Sequence, residues 1–183
     1  MCIRDSHHLS ATGEDPYLLQ WPIRFDSLAR LQAFAGALDK VIARHDVLRT
    51  AVLWDSLAQP VQVVLRTVAP VATGAATRTA FDLSQAPLIR LHYHGAEGPI
   101  EATLLFHHIA LDHTAMKAVL AEIRDHLHGL QPTQAPVPYR NYVAQARLAV
   151  SEADHEAFFR AQLADIDEPT LPYGLTDLQL QAS

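Results

Sequence analysis

Leu28, Leu31, Phe34, Ala35, Leu38, Val41 and Ile42 recur at i, i+3, i+4 and i+7 along the chain. That spacing lays one apolar stripe on a helix, with Asp26 or Ser27 as its N-cap and its end near His45. A second helix follows from Met116, Val119, Leu120, Ile123 and Leu127, with Gly129 just past its end. Between the two helices the period shortens. Leu48–Trp54 and Val61–Arg66 are runs rich in β-branched residues flanking Asp55–Pro60, which predicts a hairpin with a longer loop. Leu88–His94 and Ile100–Ile109, joined around Gly95 and Gly98-Pro99, predict another. Leu18–Phe25, opened by Asp15-Pro16, predicts a strand that Pro22 confines to an edge or bulge. Val68–Thr79 and Pro132–Pro138 are predicted to be connecting segments. Tyr139–Val150 and Glu152–Ala164 are predicted helices, the second capped by Ser151. Adjacent strand pairs mixed with long amphipathic helices imply an α/β two-layer sandwich with a mixed sheet. No internal repeat is visible.

Composition narrows the function. The 183 residues are 49% hydrophobic, which excludes a disordered tail, and a net charge of −6 offers no basic surplus for nucleic acid. Cys2 is the single cysteine, which excludes a disulfide framework or thiolate metal site and points to a reducing, cytoplasmic setting. No apolar run approaches the ~18–20 residues of a membrane span. No strand is followed by a Gly-rich phosphate loop, so nucleotide binding has no support. Met1–Ser6 resembles a translated sequencing-adapter scar and is set aside as non-native; a frayed native terminus is the other reading. Pro169, Pro172 and Gly174 break the last helix, and residues 176–183 are expected to begin a connector.

Chemistry concentrates where a strand runs out towards a helix, at Phe106-His107-His108-Ile109-Ala110-Leu111-Asp112-His113. Side chains alternate along a strand, so His107 and His108 should point opposite ways. His108 shares its parity with Leu104 and Phe106; if that face meets a substrate channel, its neutral imidazole is suited to accept or relay a proton. Asp112 can cap the following helix and receive an arginine. A zinc site would use the same residue types, but the spacing lacks any H-x-H or H-E-x-x-H pair, and no metal is expected. A solvated histidine cluster with one member packed in the core is the plainer alternative.

His107-His108-Ile109-Ala110-Leu111-Asp112 matches the HHxxxD signature of nonribosomal peptide synthetase condensation domains, of the chloramphenicol-acetyltransferase-like superfamily. Other segments resemble that family in the same order. Arg44-His45-Asp46-Val47-Leu48-Arg49-Thr50 is similar to RHxxLRT, and Phe81-Asp82-Leu83-Ser84 with Pro87-Leu88-Ile89-Arg90 to FDLxxxPLxR. Tyr139-Arg140-Asn141-Tyr142 resembles its Y-x-D/N-Y motif. Upstream, the run from His7 to Asp15 is similar to the HH[I/L]xxxxGD motif of dual epimerisation/condensation domains, with Glu14 in place of Gly. His113 stands where many members have Gly, implying a tighter helix start and a more polar channel.

The resemblance implies that residues 7–175 form the N-terminal lobe of a condensation domain whose C-terminal lobe lies outside this sequence. It implies a peptide bond formed between a donor acyl thioester and an acceptor amine, each carried on the phosphopantetheine arm of a peptidyl carrier protein. No cofactor would be bound directly. His108, His107 and Asp112 are then the catalytic candidates, with His107 expected to pack inside the lobe. His7 and His8 are candidates for donor epimerisation. Asp112 would form a structural ion pair with Arg44 or Arg49; a solvated charge is the alternative for either arginine. Because the channel lies between two lobes, the 183 residues alone are expected to be inert. Two other functions compete: a stand-alone acyltransferase using coenzyme A or carrier thioesters, and a non-catalytic module that docks carrier proteins.

Overall fold

The computed structural model describes residues 15–73, 81–168 and 171. The chain opens with β1 (Leu18–Phe25) and α1 (Leu28–Arg44). The Ser27 hydroxyl caps α1 by accepting from the Arg30 N–H. A 3₁₀ turn, Asp46–Arg49, leads to β2 (Thr50–Leu53), β3 (Val61–Val64) and β4 (Ala72–Thr73). Then come β5 (Ile89–His94), β6 (Ile100–His107), α2 (His113–Leu127), α3 (Tyr139–Leu148) and α4 (Glu152–Gln162), the last capped by Ser151.

The main sheet runs in the order β1-β6-β5-β4, antiparallel except for the parallel pair β4 and β5. It is therefore mixed, and β1 lies at an edge, where the missing N–H of Pro22 breaks no central ladder. β2 and β3 pair separately as a hairpin. Gly95 and Gly98, both with positive φ, turn the chain between β5 and β6. Three boundaries differ from the sequence reading. Leu48 belongs to the 3₁₀ turn, where its side chain is buried below α1, so β2 starts only at Thr50. The segment expected to be only a connection contributes β4, because Leu91 N–H donates to the Val71 carbonyl and opens a short ladder. β6 ends at His107, and His108–Ala110 form a turn.

Alternation along β5 and β6 divides the interior. Ile89, Leu91, Ile100, Ala102, Leu104 and Phe106 face α1 and α2, where they meet Leu31, Leu38, Val41, Ile42, Met116 and Ile123. Leu105 points the other way, towards Val52, Phe81, Leu83 and Leu88. The expected channel face bearing Leu104 and Phe106 is thus the helix-covered core, because the α1 stripe needs an apolar surface to bury.

The chain divides into two units, Met1–Tyr139 and Arg140–Ser183. The second unit carries most of α3 and α4, neither of which has a buried residue, and Phe158 and Phe159 stack edge to face at 5.3 Å.

Candidate active site at the end of β6

β6 carries His107 to the end of the sheet with its ring fully buried. Both ring nitrogens are engaged. Nδ1 accepts from the Ile109 N–H at 3.1 Å, which assigns the ring proton to Nε2, and Nε2 donates to Asp15 Oδ2 at 2.8 Å. Asp15 also accepts the Tyr17 N–H on Oδ1 at 2.9 Å, folding the Asp15-Pro16-Tyr17 turn that opens β1. His107 is thus packed inside the fold, with no exposed surface on its ring.

His108 is different. It lies in the turn beyond the strand and is half-buried. Its backbone N–H donates to the Tyr17 carbonyl at 2.8 Å, and the Tyr17 ring meets its imidazole edge-on at 6.5 Å between centroids. The ring Nδ1 donates to the Leu111 carbonyl at 2.9 Å. A carbonyl can only accept, so in the neutral ring Nε2 is the basic nitrogen. Ile109 and Ala110 of this turn pack on the second apolar cluster, built from Val52, Phe81, Leu83, Leu88 and Leu105. The Arg90 guanidinium lies over the Phe81 ring at 4.9 Å, and Asp82 closes its own turn through the Ser84 N–H. One motif therefore supplies the floor on which the other rests.

Asp112 caps α2, its carboxylate accepting the Ala115 N–H at 2.7 Å. It is exposed and makes no ion pair among the described residues, which corrects the expected pairing with Arg44 or Arg49. Asp112→Ala should therefore cost about 1 kcal/mol, and Asp112→Asn only a few tenths, since asparagine caps as well as aspartate. Chemical denaturation of the two variants checks this. A loss of several kcal/mol in Asp112→Asn would restore a buried ion pair.

The two arginines are occupied elsewhere. Arg44 Nη1 reaches both oxygens of Glu122 on α2, at 3.2 and 3.0 Å, and Nη2 donates to the Gln134 carbonyl. The neighbouring His45 Nε2 meets Glu122 Oε2 at 2.8 Å. Asp46 accepts the Tyr139 N–H on both oxygens, where α3 begins. Arg49 donates to the carbonyls of Leu65 and Arg66, and the Thr50 hydroxyl donates to the Asp46 carbonyl. The Arg44–Thr50 segment thus ties α1 to α2, to the connection before α3 and to the end of β3. Sequence reasoning missed Glu122, because α2 also carries Lys117, Arg124 and Asp125 and nothing local marks which charged side chain the packing holds inside. Glu122→Ala leaves Arg44 and His45 half-buried without their acceptor and should cost about 1–3 kcal/mol in urea unfolding; parent stability would show the cluster to be ornamental.

His7 and His8 lie outside the described residues. Among the described residues, no three histidine, cysteine, aspartate or glutamate side chains converge as a metal site, and no helix is long and apolar enough to cross a membrane.

Comparison with known proteins places this arrangement. The profile of the condensation domain family matches residues 6–180. Malpibaldin synthetase of Mortierella alpina is 38% identical over 94% of this chain, and chondramide synthase cmdD of Chondromyces crocatus is 30% identical over 86%. The chain spans only 4% and 5% of those two relatives. Among solved structures, the X-domain in complex with OxyB from teicoplanin biosynthesis superposes with a TM-score of 0.70 at 22% identity, covering 92% of this chain and 44% of that one. The cyclization-docking bidomain of EpoB from Sorangium cellulosum gives 0.68 at 19%, covering 96% and 42%. The fold is α/β, a mixed sheet covered by helices, and it fits the chloramphenicol-acetyltransferase-like fold that the motif resemblance implied. The chain belongs to the condensation domain family of nonribosomal peptide synthetases.

Proposed function

We propose that the chain is the N-terminal lobe, residues 7–175, of a condensation domain that joins a donor acyl thioester to an acceptor amine. Both substrates arrive on phosphopantetheine arms of peptidyl carrier proteins, and a C-terminal lobe supplies the other wall of the channel. The observation that carries this reading is His108, presented in the turn after β6 with Nδ1 committed to the Leu111 carbonyl, which makes Nε2 the basic nitrogen of the neutral ring.

In the reaction the acceptor nitrogen attacks the thioester carbonyl carbon, the C–N bond forms, and collapse of the tetrahedral intermediate breaks the C–S bond. His108 Nε2 takes the proton that the amine sheds and returns it to the departing thiolate, so no redox partner enters. Held against Leu111 and Tyr17, the ring also orients the amine. Asp112 acts through the start of α2 and not on the substrate. The dual epimerisation/condensation subtype rests on the His7–Asp15 motif, with His108 and either His7 or His8 removing and returning the donor Cα proton.

Supplying the synthetase that carries this chain with a loaded donor and a loaded acceptor carrier protein tests the proposal. Dipeptidyl thioester on the acceptor carrier is the expected product. Acyl transfer to free amines or coenzyme A instead would favour the stand-alone acyltransferase, and carrier binding without turnover would favour the docking module. A D-configured donor residue in product made from an L-loaded carrier would establish the dual subtype.

A further inference from the structure

Asp15 lies 92 residues before His107, yet its carboxylate is the acceptor for the buried ring. Its two oxygens do separate work. Oδ1 folds the turn that sets Tyr17, and Tyr17 meets His108 through its carbonyl and its ring; Oδ2 fixes the His107 proton on Nε2. With the proton there, Nδ1 is available to the Ile109 N–H, which holds the turn on its far side. The backbone carrying His108 is thereby fastened before and after the ring, and both fastenings converge on one carboxylate.

We infer that Asp15 is a positioning residue for His108, acting through Tyr17 and through the tautomer of His107. The inference rests on the reading of His108 given above. Two acceptor oxygens are required, because both partners donate. Asparagine has the same size but offers one acceptor and one donor; with its oxygen kept on the Tyr17 N–H, its amide N–H₂ faces Nε2 and drives the His107 ring proton to Nδ1.

The test combines turnover in the synthetase that carries the chain with nitrogen NMR of histidine-labelled protein. In the parent, His107 should show the Nε2–H tautomer alone. Asp15→Asn should lower kcat by about 10- to 100-fold, as displacement of a reacting group does. KM for both loaded carriers should stay at the parent value, and the His107 tautomer should change. Asp15→Glu, which keeps two acceptor oxygens, should recover part of both signals, and it is the variant to read should Asp15→Asn not fold. Parent kcat in Asp15→Asn, a loss confined to KM, or a fall in kcat with the His107 tautomer unaltered would each overturn the inference. So would a folded Asp15→Glu protein with a displaced tautomer and parent kcat. Failure of the underlying reading shows separately, as undiminished turnover in His108→Ala.

Discussion

Replacing His108 by alanine is expected to lower the rate of peptide-bond formation by about 10²- to 10⁴-fold, the range for losing a positioned proton-transfer group. Folding should be little affected. The ring is half-buried, lies outside the regular strand and bonds to Leu111 within the same turn. Losing such a bond costs about 1 kcal/mol. The backbone N–H bond to Tyr17 survives the substitution, so the turn keeps its anchor. Single-turnover transfer between two loaded carrier proteins, measured beside thermal unfolding, separates chemistry from stability. Undiminished transfer by a folded variant would remove His108 from the mechanism.

His107→Ala should act first on stability, and by releasing the Ile109 N–H it should also lower the turnover of what stays folded. The substitution empties a fully buried site at the end of β6. It also strips Asp15 of the Nε2–H donor and the Ile109 N–H of its acceptor. A large-to-small change in the interior and two polar groups left unpaired together cost on the order of 3–5 kcal/mol. For a chain of this size that corresponds to a fall of roughly 6–20 °C in melting temperature. Calorimetry of the variant against the parent gives the number. Melting at the parent temperature would mean that the buried contact with Asp15 contributes nothing.

Much of this was legible in the residues because the signals were local. The α1 stripe needed only 3.6-residue spacing and a cap at Asp26 or Ser27; the stripe is found as read, and Ser27 is the cap. The β5–β6 pair followed from apolar runs and two turn glycines. Asp112 declared itself as a cap by standing immediately before a helix-periodic segment. That one histidine lies inside and the other is available was expected, but strand alternation is not the reason, since β6 stops at His107 and His108 lies in the turn beyond it.

The partners of charged groups were not legible. Arg44 and Arg49 carried the right charge for Asp112, but charge alone does not say which carboxylate a fold brings near. Packing α1 against α2 places Glu122 beside Arg44 and His45, while the turn into α2 leaves Asp112 in solvent. Parity along β6 pointed to a channel on the Leu104 face, and the tertiary packing put the helical core there. The sequence by itself determined the helices, the two hairpins and the family. Only the tertiary structure decided that Asp15 holds His107, that Glu122 gathers the Arg44 segment, and that β6 stops before His108. Helix and strand periods arise between neighbours a few positions apart, whereas those contacts join residues 92 and 78 positions apart, whose meeting depends on how whole elements bury their apolar faces.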